Sequence, residues 1–318
     1  MATNSTANTN QHYVPQMLLR GFATDDDAEQ VWVFDKQNQR SFLTAIRNIA
    51  AERGYYDTNG SAALDAAMNG ADDLTSPIIS EIRNRRSLSG ISPEAKVTLA
   101  GFVVLQMLRT RGYQERMRHM EESLTAAVVD RGGFLPPGWR PHDPPNQARD
   151  EYLQLIPKFT REFLPHLLDK DLMLYRTDPC RPFCISDNPV TLNNTINPGD
   201  GLRGTLGLSI RGIEIYLPIS NELTLAYICP SIGEQYERLT YYLKMLGGFV
   251  KEDAMYYLQS RNTGKALRLG VENVRFQNSL QILNAERFLI SSVNEFADAA
   301  AIIEEHPEAR FGHRVTVM

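Results

Sequence analysis

IEIYLPISNELTLAYIC, residues 213–229, is the stretch whose reading decides the fold class. Two runs of β-branched, aromatic and leucine residues flank Ile219-Ser220-Asn221-Glu222, where the apolar pattern gives way to turn formers. A pair of this kind reads as a β-hairpin. Upstream, LMLYR (172–176), PFCIS (182–186) and PVTLN (189–193) are further short β-rich runs, separated by Pro, Asn and Asp. The chain therefore changes from helix to strand after Asp169.

Before that point the spacing of apolar residues is helical from Leu64 to Asp130, and Ser92 directly before Pro93 marks a helix start. Residues 132–147, GGFLPPGWRPHDPPNQ, are too rich in Pro and Gly for a helix and separate this block from another at about 148–169. Nearer the N-terminus VWVFDK (31–36) alternates like a strand, with an exposed turn at Asp26 to Glu29 before it and a second extended run at 41–46. Beyond the hairpin, helix is expected at about 231–260 and 271–285, then an extended RFLISS (287–292). No internal repeat is present. The order predicts an α+β fold: a central helical block packed with an antiparallel or mixed β-sheet formed by the N-terminal and C-terminal parts. Residues 1–11 read as a flexible leader and 12–318 as a single composite domain. Within it lie a helical lobe at about 64–170, a β-rich part at about 172–230, and C-terminal helices with a strand at 231–292.

The 318 residues carry 33 Lys+Arg against 38 Asp+Glu, a net charge of −5, and 42% are hydrophobic. That composition is globular, and its acidic balance argues against non-specific binding of nucleic acid or membrane by the whole chain. Three cysteines are too few for a disulfide framework, and Cys180 and Cys184 read as buried free thiols. The polar start MATNSTANTNQ has no signal-peptide pattern, and no apolar run approaches the roughly 20 residues of a membrane span. A soluble, cytoplasmic protein is expected.

Several segments carry polar residues of chemical interest. In FVVLQMLRTRGYQERMRHME (102–121), read as one helix, Gln106, Arg109, Tyr113 and Arg116 fall on one stripe. A guanidinium there suits a carboxylate or phosphate; the stripe is otherwise solvated, or Arg109 is tied to an internal acid. In FCISDNPV (183–190), Pro189 stops a β-run and gathers Ser186, Asp187 and Asn188 at its end. Asp187 is a candidate general base or metal ligand, or else part of an Asx turn bonded to its own backbone. His12, in QHYVPQMLLRGF, is the side chain best suited to proton transfer near neutral pH, although its apolar neighbours also fit a packed N-terminal segment. GDGLRG (199–204) matches a dinucleotide-binding pattern in letters, but the preceding Asn197-Pro198 and the following TLGLSIRG fit a loop. Arg83, Arg85 and Arg86 read as a solvated helix end.

HYVPQMLLRGF, VWVFDK and RNIAAERGYYD, together with later segments, resemble a mostly bacterial family filed as a domain of unknown function. Its pattern has an N-terminal His-x-Val-Pro followed by Leu-Arg-x-Phe, then a strand ending in Asp-Lys. A helical Gln-x-x-Arg, a Ser-Asp-x-Pro-Val, an apolar-Pro-apolar segment and an Asn…Ala-x-Arg-Phe follow. The matches are His12 to Pro15, Arg20, Phe22, Asp35, Lys36, Gln106, Arg109, Ser186, Asp187, Pro189, Val190, Leu217-Pro218, Asn284, Ala285, Arg287 and Phe288. What the resemblance implies is a shared address for polar residues far apart in sequence: either one pocket or one buried hydrogen-bond network.

The pocket version predicts an enzyme acting on a phosphate-containing substrate, a nucleotide or nucleic acid, by nuclease- or phosphodiesterase-like hydrolysis. Arg109 and Arg287 would clamp the anion, Gln106, Ser186 and Asn188 would orient it, and His12 with Asp187 would handle the proton. A metal held by Asp187 and His12 has no ligand spacing to support it, and no motif specifies a cofactor. The alternative is a non-catalytic sensor or interaction protein, in phage defence or a mobile element.

Overall fold

In the computed structural model, which describes residues 10–24, 29–57, 63–136, 145–196, 206–250, 252–312 and 314, the 213–229 stretch is an antiparallel hairpin. From the N-terminus, β1 (Asn10–His12) leads through a short helix α1 (Gln16–Leu19) to a hairpin of β2 (Gln30–Asp35) and β3 (Arg40–Ala45). Strand β4 (Ala51–Arg53) then returns to pair with β1. Asn10 and Gln11, assigned by composition to the leader, thus belong to a strand. Residues 1–9, Asp26, most of the Pro-rich loop (137–144) and the 199–204 segment lie outside the described residues.

The helical block comprises α2 (Ala63–Arg85), α3 (Pro93–Leu108), α4 (Arg111–Asp130) and α5 (Pro145–Leu168). Helix α3 begins as expected: the Ser92 hydroxyl accepts from the Ala95 amide at 3.2 Å, and Pro93 occupies the first helical position, where its missing N–H costs nothing. The single helix expected over 102–121 is instead two. Thr110 adopts an extended backbone (φ −81°, ψ 151°) and its hydroxyl accepts from the Tyr113 amide, ending α3 and capping α4. The break dissolves the stripe of Gln106, Arg109, Tyr113 and Arg116, because helical spacing does not carry across it.

Next come β5 (Asp171–Arg176), β6 (Ile185–Ser186), β7 (Thr191–Asn194) and the hairpin of β8 (Ile213–Pro218) and β9 (Leu223–Ile228). Helices α6 (Pro230–Met245) and α7 (Glu252–Thr263), strand β10 (Leu267–Arg268), helix α8 (Val271–Asn284), strand β11 (Phe288–Ser291) and helix α9 (Ala297–Glu305) complete the order. The fold is α+β. Among the described residues the strands form three sheets where one was expected. The sheet joining N- and C-terminal parts is four-stranded, in the order β3-β2-β11-β6. The second is five-stranded, β10-β5-β9-β8-β7, with only β10 and β5 parallel, and the third is the β1–β4 pair.

The hairpin can be largely apolar, with Glu214 and Thr224 as the exceptions, because both of its faces are covered. Every residue of β8 and β9 is buried. Ile213, Ile215, Leu217, Leu223, Leu225 and Tyr227 pack into the main core, which draws on residues from Tyr13 to Ile290. The alternate positions Tyr216, Ala226 and Ile228 pack with Tyr257 on the other face. Arg83 reaches this hairpin from α2 and is half-buried, donating to the Ile219 carbonyl and, at 3.1 Å, to that of Leu18. It is an internal clamp, unlike the solvated helix end expected; only Arg85 and Arg86 are exposed. Cys184 is buried as expected, Cys180 is exposed against expectation because it lies in the connection that leads into β6, and Cys229 is buried.

Candidate functional site

The break between α3 and α4 sets the first half of the candidate site. Arg109, at the end of α3, is wholly buried. Its guanidinium grips Asp72 of α2 with two bonds, at 2.9 and 3.2 Å, and its Nε donates to Gln106 Oε1 at 2.8 Å. Gln106 Nε2 donates in turn to the Tyr13 carbonyl at 2.9 Å. Burial opposes the charge on Arg109, but the Asp72 carboxylate beside it raises its pKa above the ordinary value. Tyr55 donates its hydroxyl to the Arg109 carbonyl at 3.0 Å, so the turn is held from both sides.

His12 lies beside this group. Its carbonyl accepts from the Tyr56 hydroxyl at 3.2 Å, while both ring nitrogens are buried without a partner. Burial, with the Arg109 charge adding to it, lowers the imidazole pKa to about 4. His12 is therefore neutral at neutral pH, and no carboxylate orients it.

The second half forms where β6 ends. Asp187 is buried, and its carboxylate accepts three backbone amides, two from the turn before β11 (Glu286 at 2.8 Å and Arg287 at 2.8 Å) and one from the first residue of that strand (Phe288 at 3.0 Å). Its bonds run across the fold, not to its own backbone as an Asx turn would have it. Burial pushes the carboxyl up to about 6, against the pull of those amides. Ser186 donates its hydroxyl to Gln281 Oε1 at 2.8 Å, and Gln281 Nε2 reaches the Pro189 carbonyl at 2.8 Å. Asn188 and Asn284 exchange bonds: Asn284 Nδ2 donates to the Asn188 carbonyl at 2.6 Å, and Asn188 Nδ2 to the Asn284 carbonyl at 3.1 Å. Below them Lys36 Nζ, also buried, donates to the carbonyls of Ile282 and Ala285 at 2.6 and 2.7 Å, satisfying the end of α8.

One bond joins the halves. Thr110, next to Arg109, donates its hydroxyl to Asn188 Oδ1 at 2.7 Å, next to Asp187. Tyr13 lies between them as well, with its phenol in the field of Asp187, Glu52 and Arg111 and its pKa raised chiefly by burial. Gln106, Arg109, Ser186, Asp187 and Asn188 thus belong to one connected region, with His12 at its margin. Arg287 does not join Arg109 in a clamp. It points outward, 42% exposed, and pairs with Asp35 at 2.7 Å. The partners absent from the sequence reading are Asp72, Thr110 and Gln281. Thr110 is a cap-type residue, and Gln281 sits three before Asn284 on one helix face, so both leave a trace; Asp72, next to Asp73, leaves none.

A family description covers residues 10–295, from β1 past the end of β11. The chain belongs to the family described as Protein of unknown function (DUF4238). No curated protein and no solved structure matches it. The matched span of this DUF4238 member takes in both halves of the polar region. Among the described residues, no helix is long and apolar enough to cross a membrane, and no group of three or more His, Cys, Asp or Glu side chains is placed to hold a metal ion.

Proposed function

We propose that this DUF4238 member acts by binding, as a non-catalytic sensor or interaction protein, and that its polar region is the network that organises the fold. The observation supporting this is the engagement of Arg109. A guanidinium with no exposed surface and both prongs on Asp72 has nothing left to offer a phosphate. Asp187 is likewise closed by three amides, and a neutral His12 without an orienting partner lacks the arrangement of a general base.

A second reading, phosphodiester hydrolysis, is favoured by one feature. Arg111 and Arg287 are exposed near Tyr13 and Asp187, on the outward edge of the region. The two readings separate in an assay of the full chain with bis(p-nitrophenyl) phosphate and single-stranded DNA, with and without Mg²⁺. The binding reading expects no turnover above buffer, and equal behaviour from Arg287→Ala. Turnover that falls at least about a hundredfold in folded His12→Ala or Arg287→Ala, the loss typical of a removed acid–base or electrostatic group, would overturn it.

A further inference from the structure

The cavity between β11, α8 and the start of α9 borders the polar region at Ile282, but none of the candidate site residues lines it. It encloses about 310 Å³ and is reached beside the 180–182 connection that leads into β6. Its floor is apolar: Val274 and Ile282 from α8, Leu289 from β11, and Phe296 before α9. Ile282, Leu289 and Phe296 belong to the small core that also holds Cys184 and Ala299, and Val274 to the main one. A cavity with such a floor favours an apolar body, because its walls have already left water.

The rim has a different character. Arg181 and Arg275 contribute two positive charges, and Glu295 and Asp298 two negative ones, so the lining is balanced. Among the described residues Arg181, Glu295 and Asp298 make no ion pair, although Asp178 lies within the field of Arg181, and Arg275 makes only a loose one, at 3.7 Å, with the exposed Glu272. Asn278, by contrast, is held by the wall. It accepts from the Cys184 amide at 3.0 Å and donates to the Pro182 carbonyl at 3.1 Å, which fixes the wall and leaves one N–H of the amide for a ligand. Unpaired charges of both signs around an apolar floor select for a molecule carrying both signs itself. An anion alone would face two carboxylates, and a cation alone two guanidiniums.

We infer that this cavity is a binding site for a small zwitterion with an apolar body, of amino-acid or dipeptide size. Its carboxylate faces Arg181 and Arg275, its ammonium faces Glu295 and Asp298, and its side chain rests on Ile282, Leu289 and Phe296. The inference rests on the binding reading above and gives it a ligand class.

The test uses the full chain and three probes that share one ring: L-phenylalanine, with both charges; 3-phenylpropionate, with only the carboxylate; and phenethylamine, with only the ammonium. Binding is followed by calorimetry and by the rise in melting temperature. L-Phenylalanine is expected to bind at least about tenfold more tightly than either single-charge probe. Arg181→Ala and Asp298→Ala, both at exposed positions, should each weaken it by about three- to fivefold, as exposed ion pairs do; Arg181→Ala should leave the melting temperature of the free protein unchanged, whereas Asp298→Ala also removes the acid from the first turn of α9 and should lower it slightly. Leu289→Trp, which fills the floor, should abolish binding. No binding of L-phenylalanine or of the dipeptide Leu-Phe, equal binding of all three probes, or binding indifferent to the rim variants would each overturn the site. Those outcomes leave the phosphodiester assay untouched, so failure of the site and failure of the binding reading are told apart.

Discussion

Asn188 occupies the space that a side chain on Gly112 would need. A Cβ at position 112 would lie 2.7 Å from Asn188 Nδ2 and 2.9 Å from its Cγ. The first turn of α4 and the end of β6 therefore approach this closely only because residue 112 is glycine. The bond from Thr110 to Asn188 spans the same junction.

Gly112→Ala should accordingly displace Asn188 and cost about 1–3 kcal/mol of stability, the range of an overpacked core site. Gly101→Ala is the matched control. It lies inside α3, with nothing within 4 Å of its Cβ position, so the better helix propensity of alanine should leave stability unchanged or raise it by up to about 1 kcal/mol. Urea denaturation of both variants checks the pair. Equal effects would contradict the close approach.

The Arg109–Asp72 pair predicts strong coupling. Asp72→Leu leaves a guanidinium with no exposed surface and no counter-charge, and should cost about 3–5 kcal/mol. Adding Arg109→Met to that variant removes the stranded charge, so the double variant should be more stable than Asp72→Leu alone. A double-mutant cycle measures the coupling, and additive losses would show that the pair does not act as a unit.

The hairpin at 213–229 was legible because β-branched and aromatic runs around a polar turn have few other uses, and both of its faces proved buried. The α3 start was legible from Ser92-Pro93 for an equally local reason. The two-helix break at Thr110 was not, since Leu108 and Tyr113 fit a helix and only one hydroxyl decides against it. Of the site, the sequence offered the members but not their partners. Arg109 announces that it needs a carboxylate; which of 38 acids it takes is fixed by the packing of α2 on α3. Arg83 misled for the same reason: a basic residue near a helix end looks solvated until another element covers it.

The pH dependence combines two opposed contributions. The His12 pKa falls from 6.5 to about 4 on folding. Between those values the unfolded chain binds a proton that the folded one refuses, so stability drops as pH falls through that window, by about 3 kcal/mol in all. Asp187 rises from 3.8 to about 6. There the folded chain takes the proton first, so stability grows as pH falls from 6 towards 4, by a similar amount. The two largely offset each other in the wild type. In His12→Leu only the Asp187 contribution survives, so from pH 7 to pH 4 its stability should gain about 3 kcal/mol relative to wild type. A difference that does not vary with pH, measured by urea unfolding at each value, would rule out a depressed His12.

Gly21 and Arg83 together hold the β8–β9 turn against α1 and α2. A Cβ on Gly21 would lie 2.3 Å from the Ile219 carbonyl oxygen and 2.6 Å from the Arg83 guanidinium, while the Gly21 carbonyl accepts the Asn221 amide at 2.8 Å. The nearest obstacle is backbone, which cannot rotate away, so Gly21→Ala should cost at least about 2 kcal/mol. Arg83→Lys should also destabilise, by about 1–3 kcal/mol. An ammonium keeps the charge but cannot reproduce the planar fork that serves the Ile219 and Leu18 carbonyls together. Arg85→Lys, two residues on, exposed and paired with Glu81 across one helical turn, should change stability by less than about 0.5 kcal/mol. If hydrogen exchange shows the 219–223 amides equally protected in wild type, Arg83→Lys and Arg85→Lys, the clamp does not anchor the turn.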